Sequence, residues 1–360
     1  MLALALLLES CAASSGATDQ WTVAVPSRAR RHSARLAGFK HESLPLIASI
    51  RGAMKTGDQP LEPPTAQFHR QVIGEAELLA LCDGGINYPA AMIFGRVSPE
   101  GATRYNLPAR QLFVPYTLLL VRRGRNAVLC DVGAGDLGNP GDQAFPGLDH
   151  STSRTNLLVP SLLAAGMEPR EVDTVLITHA HPDHVGGMLD AEGRLVFPNA
   201  HYYVARQEWD YWMSVDPAVV GARALREHLE QLIAIARKAL HAIAERVTLV
   251  EGDEEVMSGI RFERALGHTP GHLMVTIAAG GQTIHNISDV VVHPLFLEHP
   301  EWAADIDMDA GLADEARRRF FARAAEEHTL VFGHHLGPFP NLGRIAKCGD
   351  AWQWQPVSWA

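Results

Sequence analysis

The chain has 360 residues, 47% of them hydrophobic, and a formal net charge of −10, with 41 acidic and 31 basic residues. A chain of this length and composition can bury a sizeable core in one large domain or two small ones. The acidic balance argues against a nucleic-acid-binding protein, because a basic surface supplies most of the affinity for phosphate backbones.

The first 65 residues are predicted to be a leader and a poorly ordered arm, and residues 66–360 a single folded domain. Residues 1–8 are apolar and are followed by Cys11. This segment resembles a truncated export signal, and the residues up to Cys11 resemble a lipoprotein cleavage box. The run is short for a signal core and no basic residue comes before it. We therefore predict a cytoplasmic protein, with periplasmic or lipoprotein export as the alternative. No other stretch approaches the roughly 20 apolar residues of a membrane span.

The pattern of apolar residues predicts strands and helices in two halves. Residues 71–81 indicate a hairpin closed by a turn at Cys82–Gly85, and residues 117–121 and 127–132 indicate a second antiparallel pair. Further strands are predicted over residues 172–178, 197–204, 247–250, 260–265, 273–278, 283–287 and 329–332. Helices are predicted over residues 156–166, 222–247 and 312–327. This order predicts an α/β protein, an αβ/βα four-layer sandwich with two central sheets between helix layers.

A cluster of ligand-type side chains follows the buried strand that ends at Thr178. Within six positions the chain carries His179, His181, Asp183 and His184. In sheets covered by helices, active sites gather at the carboxyl ends of strands. Neutral imidazoles and a carboxylate suit zinc, manganese, iron or nickel. Two metals about 3.5–4 Å apart need more ligands than this segment supplies, so we expect others from later in the chain.

The His-x-His-x-Asp-His pattern over residues 179–184 resembles the signature of the metallo-β-lactamase fold superfamily. Three later segments resemble its remaining motifs in the same order, namely Gly267–His272, Ser288–Asp289 and Phe332–Leu336. The likeness extends from about residue 68 to the C-terminus and implies a metallo-β-lactamase-fold catalytic domain. Residues 338–345 are similar to the broad group that contains methyl parathion hydrolase-like and N-acyl homoserine lactonase-like enzymes.

The resemblance implies a site for two divalent metal ions, with zinc favoured and manganese, cobalt or iron as alternatives. The implied protein ligands are His179, His181, Asp183, His184, His268, Asp289 and His335. The first metal would take the first two histidines and His268, and the second metal would take Asp183, His184 and His335.

Three side chains have further implied roles. Asp289 would bridge the two metals, and Asp183 would also act in catalysis by moving a proton. Asp131 would orient a ligand histidine from the neighbouring strand end. His334 competes with His335 for the last ligand position, and the sequence that follows favours His335.

These features predict a dinuclear metal-dependent hydrolase that uses a metal-bridging hydroxide on a small ester, lactone or organophosphate. Two alternatives stay open. One is a glyoxalase-II-like thioesterase, and the other is a mononuclear iron oxygenase on the same fold that would use His179, His268 and Asp289. The expected partner is a small-molecule substrate, with no nucleic acid and no membrane span, and a homodimer is compatible with the sequence.

Overall fold

The computed structural model describes residues 64–138, 149–216 and 229–357. The leader and nearly all of the arm lie outside these ranges, as does the first part of the predicted helix over residues 222–247. The predicted boundary between arm and domain therefore stays a prediction.

One sheet occupies most of the N-terminal half of the described chain. Its strands are β1 (Phe68–Ile73), β2 (Ala76–Pro89), β3 (Gln111–Arg123), β4 (Asn126–Cys130), β5 (Asp149–Arg154), β6 (Thr174–Leu176), β7 (His201–Ala205) and β8 (Val247–Val250). The order is β1-β2-β3-β4-β6-β7-β8, and β5 pairs with β2. Neighbours from β1 to β4 are antiparallel, whereas β4, β6, β7 and β8 run parallel.

A second sheet is built from the C-terminal half. Its strands are β9 (Glu255–Met257), β10 (Ile260–Arg264), β11 (Leu273–Ala279), β12 (Gln282–Asn286), β13 (Leu330–Phe332), β14 (Leu342–Cys348) and β15 (Ala351–Pro356). Each strand pairs with its neighbours in sequence, in the order β15-β14-β13-β12-β11-β10-β9. The β12–β13 pair of this sheet is parallel, and the other pairs are antiparallel. The prediction that residues 329–332 form the last core strand is wrong, because β14 and β15 extend the sheet beyond β13.

Several of the described helices cover the outer faces of the sheets. They are α1 (Ala90–Phe94), α2 (Pro99–Arg104), α3 (Leu158–Ala164), α4 (Pro182–Val185), α5 (Arg206–Ser214), α6 (Leu229–Ala242), α7 (Leu295–Glu298) and α8 (Ala310–Glu327). The helix predicted to reach residue 247 ends at Ala242, because Val247 begins β8. Across the three described ranges, no helix combines the length and apolarity needed to cross a bilayer.

Three apolar layers hold the sandwich together. Between the sheets, side chains such as Leu119 and Val128 belong to the same buried cluster as Phe262 and Phe332. The outer face of the first sheet packs against α3 and α6, whose buried positions recur at three- and four-residue steps. The outer face of the second sheet packs against α8 through Phe320 and its neighbours. The predicted four-layer sandwich is therefore confirmed.

The first hairpin forms as predicted, but its turn does not lie at Cys82–Gly85. The chain turns between β1 and β2 at Gly74, whose φ is +57°. Residues 82–85 instead form a bulge inside β2, where the register shifts between Cys82 and Gly84. A Cβ on Gly84 would lie 1.9 Å from the Arg154 carbonyl oxygen, so glycine is required for β5 to approach. The bulge lets the buried Asp83 carboxylate accept three backbone N–H bonds from residues 134, 157 and 158.

A buried histidine on β12 predicts a pH-dependent contribution to stability. His285 is 2% exposed, its Nδ1 lies 2.8 Å from Thr276 Oγ1, and burial lowers its pKa from 6.5 to about 4. The folded state keeps this ring neutral, whereas the unfolded state protonates it below about pH 6.5. The free energy of unfolding is therefore fully retained above pH 6.5 and falls as the pH approaches 4. The difference corresponds to on the order of 3 kcal/mol.

We expect His285→Asn, which keeps a donor towards Thr276, to flatten the fall in unfolding free energy between pH 6.5 and 4.5, measured by urea denaturation. The exposed His201 provides the control, and His201→Asn should keep the wild-type slope. An unchanged slope in His285→Asn would contradict the assignment.

Candidate metal centre

The first ligand segment is held by the end of β6. Ile177 N donates to Tyr203 O, and the backbone N–H and hydroxyl of Thr178 both donate to the Asp131 carboxylate. The chain bends at Thr178 and continues without regular structure to His181, the extended residue before α4. Pro182 occupies the first helical position, where a missing N–H costs nothing. His179 and His181 therefore precede the helix, and Asp183 and His184 lie in its first turn.

The other predicted ligands also follow strand ends. His268 lies in the loop after β10, and Asp289 lies in a 3₁₀ turn (Ser288–Val290) directly after β12. His334 and His335 follow β13, the parallel neighbour of β12. Because these strands end at the same edge, the structure brings all seven predicted ligands together, and His334 with them.

The side chains form overlapping groups whose ligand atoms lie within 4.8 Å of one another. One group is His179, His181 and His268, and another is Asp183, His184, His334 and His335. A third group joins His179, His184 and Asp289. Each group could hold a cation, and the third group shares His179 with the first and His184 with the second.

Asp289 lies at the centre of the groups. Its Oδ2 is 3.2 Å from His268 Nε2, 4.0 Å from His179 Nε2 and 3.3 Å from His335 Nε2. Its Oδ1 is 3.2 Å from His184 Nε2. The two oxygens therefore face different imidazoles, as a bridging carboxylate would require.

The hydrogen bonding of the cluster fits bound cations. His181 Nδ1 lies 3.1 Å from His179 Nε2 and 2.9 Å from His268 Nε2, so ring nitrogens crowd one another. His184 Nε2 and Asp289 Oδ1 are buried and lie 3.2 Å apart, but neither is aligned for a hydrogen bond with the other or with another described group. Leaving buried polar atoms unpaired costs about 1–3 kcal/mol each. A divalent cation beside each group would satisfy these atoms.

Several ring nitrogens that face away from the cluster have an oxygen acceptor, whereas the away-facing His181 Nε2 is buried without a hydrogen-bond partner. His335 Nδ1 lies 2.9 Å from Pro115 O, which can only accept, so this nitrogen carries the proton. His184 Nδ1 lies 2.9 Å from Asp131 Oδ2, the contact predicted for Asp131. Such contacts fix the ring orientation and leave Nε2 as the free lone pair, as in metal-binding histidines generally.

His268 is oriented by a buried ion pair, Asp307 and Arg317, that the sequence analysis did not predict. Its Nδ1 lies 3.0 Å from Asp307 Oδ1, and Arg317 Nη2 donates to Asp307 Oδ2 at 2.5 Å. Arg317 Nε also donates to Val290 O, beside Asp289. Burial would raise the pKa of Asp307, but Arg317 and His268 hold it at about 2. Asp307 therefore stays charged and orients His268.

Burial and charge polarise the cluster. Burial lowers the pKa of His179 and of His181 well below the ordinary value, which keeps both rings in the neutral, metal-binding form. Burial would raise the pKa of Asp289, but the surrounding imidazoles, that of His335 first, hold it well below its ordinary value. Burial opposes a charge on His184, yet Asp289 and the nearby carboxylates raise its pKa well above its ordinary value. The carboxylates therefore favour positive charge on the side of the cluster that holds His184.

A second unpredicted residue, Glu208 in α5, connects two loops that carry predicted ligands. The fully buried Glu208 carboxylate accepts from Ala180 N, between two ligand histidines, and from Gly271 N. It also accepts from Thr269 Oγ1 and Trp212 Nε1. Burial raises the pKa of Glu208. The only sequence signal was an acidic residue inside an aromatic helical segment, which is equally typical of an exposed position.

We expect Glu208→Ala to lower the unfolding free energy by about 3 kcal/mol or more, because four buried donors lose their acceptor. Thermal and urea unfolding measure this loss, and metal content should fall with it. The neighbouring Gln207 is exposed, so Gln207→Ala should leave both quantities unchanged. Equal stability of the two variants would contradict the anchoring role.

The sequence matches the family model of the metallo-β-lactamase superfamily over residues 118–334, more than half of the chain. An N-acyl homoserine lactonase from Bacillus sp is 24% identical over 238 residues, which are 64% of this chain and 84% of the relative. The corresponding lactonase of Bacillus cereus is 22% identical over the same shares of the two chains.

Two solved structures superimpose on most of the chain. AidC, described as a dizinc quorum-quenching lactonase in complex with a product, is 27% identical with a TM-score of 0.73, covering 82% of this chain and 99% of AidC. AbOPH, a hydrolase in the β-lactamase superfamily, is 25% identical with a TM-score of 0.70 and the same coverage. The prediction of a metal-dependent hydrolase is confirmed by the family match and by these lactonase and hydrolase relatives. The chain belongs to the metallo-β-lactamase superfamily.

Proposed function

We infer that this protein is a dinuclear metal-dependent hydrolase whose substrate is a lactone or a related small ester. The observation that carries the proposal is the position of Asp289, with one oxygen facing His184 and the other facing His268 and His335. A single-metal enzyme needs no carboxylate shared between two histidine groups. The lactone class is supported by the N-acyl homoserine lactonases and by AidC among the similar proteins.

The proposed ligands are those that the sequence resemblance implied. His179, His181 and His268 would hold one cation, and Asp183, His184 and His335 would hold the other. Asp289 would contact both. Zinc is the favoured metal, since five of these seven ligands are imidazoles. When bound, a pair of divalent cations supplies hydroxide from water near neutral pH and polarises a substrate carbonyl oxygen.

Asp183 is the residue best placed to move a proton. Its side chain is 14% exposed, whereas that of Asp289 is 3% exposed, so Asp183 is the more open of the two carboxylates. Asp183 Oδ2 lies 3.5 Å from His335 Nε2 and 3.9 Å from His184 Nε2. A carboxylate on the open side of the site can accept the proton that the attacking water releases and then donate it to the leaving alkoxide.

The test combines metal analysis with a panel of substrates. We expect about two zinc, manganese or cobalt ions per chain, and hydrolysis of N-hexanoyl homoserine lactone that a chelator abolishes and zinc restores. An aryl ester, a phosphotriester and a glutathione thioester define the substrate class. One iron per chain, oxygen uptake with a thiol substrate and no hydrolysis would refute the proposal in favour of the oxygenase.

A further inference from the structure

Two adjacent histidines after β13 reach the same cation site. The ring centroids of His334 and His335 are 4.4 Å apart and nearly perpendicular, and the His334 ring is 4.3 Å from that of His184. His334 is 3% exposed and offers a ring nitrogen within 4.8 Å of the ligand atoms of Asp183, His184 and His335. The proposed function above uses only one of the two histidines.

The backbone explains how neighbouring residues face one point. In a strand, successive side chains point to opposite faces. β13 ends at Phe332, and the chain bends after Gly333, whose N–H donates to Asn341 O. The His334 carbonyl then accepts from Thr117 N at 3.1 Å and from Asn341 Nδ2 at 3.0 Å. These bonds fix the backbone of His334 beside the cluster.

Aromatic packing alone does not account for His334. Its ring does stack on Tyr116 at a centroid distance of 5.5 Å and lies against His184, so a packing role is the simplest alternative. A phenylalanine would supply that packing without burying polar atoms. His334 Nε2 is instead buried without a hydrogen-bond partner, which is unfavourable unless another group satisfies it.

We propose that His334 is an additional ligand of the second cation, which therefore takes Asp183, His184, His334 and His335. This assignment rests on the proposed dinuclear function and deepens it. Each cation then has three imidazoles, from His179, His181 and His268 at the first site and from the three other histidines at the second. A shell rich in imidazole favours zinc and cobalt over manganese and magnesium.

The test measures second-site affinity in two His334 variants. His334→Phe keeps an aromatic ring beside Tyr116, and His334→Ala removes it. We expect both variants to lose the second metal at a free zinc concentration that saturates the wild type, with second-site affinity weakened by about 10–100-fold or more. Chelator competition gives the affinities, and the visible spectrum of the cobalt-substituted protein reports the change in coordination.

The control is His285, a buried histidine on β12 whose Nε2 also has no partner. His285→Phe should keep two metals, the same competition curve and the same cobalt spectrum. A His334→Phe variant that also keeps all three would overturn the proposal and leave His334 as a packing residue. A wild type that binds fewer than two metals would instead refute the dinuclear function itself.

If the His334 variants fail to fold, the wild type answers the question. In cadmium-113-substituted protein labelled with nitrogen-15 histidine, the number of imidazoles that couple to cadmium can be counted by NMR. Six coupled rings are expected if His334 is a ligand beside His179, His181, His184, His268 and His335. Five coupled rings would overturn the proposal.

Discussion

Asp289→Asn is expected to lower kcat/KM for lactone hydrolysis by about 10³-fold, which corresponds to about 4 kcal/mol of transition-state stabilisation. The substitution keeps the shape of the side chain but removes the charge between His184 and His268. An amide also presents one oxygen where the carboxylate presents two. We expect the metal content to fall from about two ions per chain to one or fewer, measured by elemental analysis after gel filtration.

A matched control exists at Asp350, an exposed aspartate between β14 and β15. Asp350→Asn removes the same charge from the chain and should leave metal content and activity unchanged. An Asp289→Asn protein with two metals and wild-type activity would show that the carboxylate only packs between the histidines.

Asp307→Ala should have the largest effect on stability. Arg317 is fully buried, and the loss of Asp307 leaves its guanidinium without a counter-charge. Breaking one half of a buried ion pair costs about 3–5 kcal/mol. His268 also loses the acceptor on its Nδ1, so zinc affinity should fall by about 10–100-fold. Urea unfolding and chelator competition measure the two effects.

A double variant separates stability from ligand orientation. Asp307→Leu combined with Arg317→Met removes both charges, and such apolar replacements often restore stability. The weakened zinc affinity should persist, because His268 still lacks its acceptor. The exposed pair Arg318–Asp314 is the control, and Asp314→Ala should cost less than about 1 kcal/mol. Full recovery of zinc affinity in the double variant would contradict an orienting role for Asp307.

The sequence by itself determined the family, the fold class and the candidate ligands. These features are local or ordered along the chain. The spacing from His179 to His184, the Gly-His-Thr-Pro-Gly-His segment and the later histidines are patterns of adjacent residues, and apolar periodicity located most strands. Where prediction failed, the competing signal was also local. Cys82–Gly85 has the composition of a turn, but the segment forms a bulge in β2, where Gly84 allows the backbone of β5 to approach closely.

Only the tertiary structure revealed what surrounds the ligands. Asp307 and Arg317 lie 10 positions apart, and Glu208 is 63 positions from Gly271, so no short motif records their contacts. A buried carboxylate resembles an exposed one in sequence, because burial depends on which elements pack over it. The same holds for His334. The sequence left His334 and His335 as rivals for one position, whereas the bend after Gly333 brings both rings to the same group.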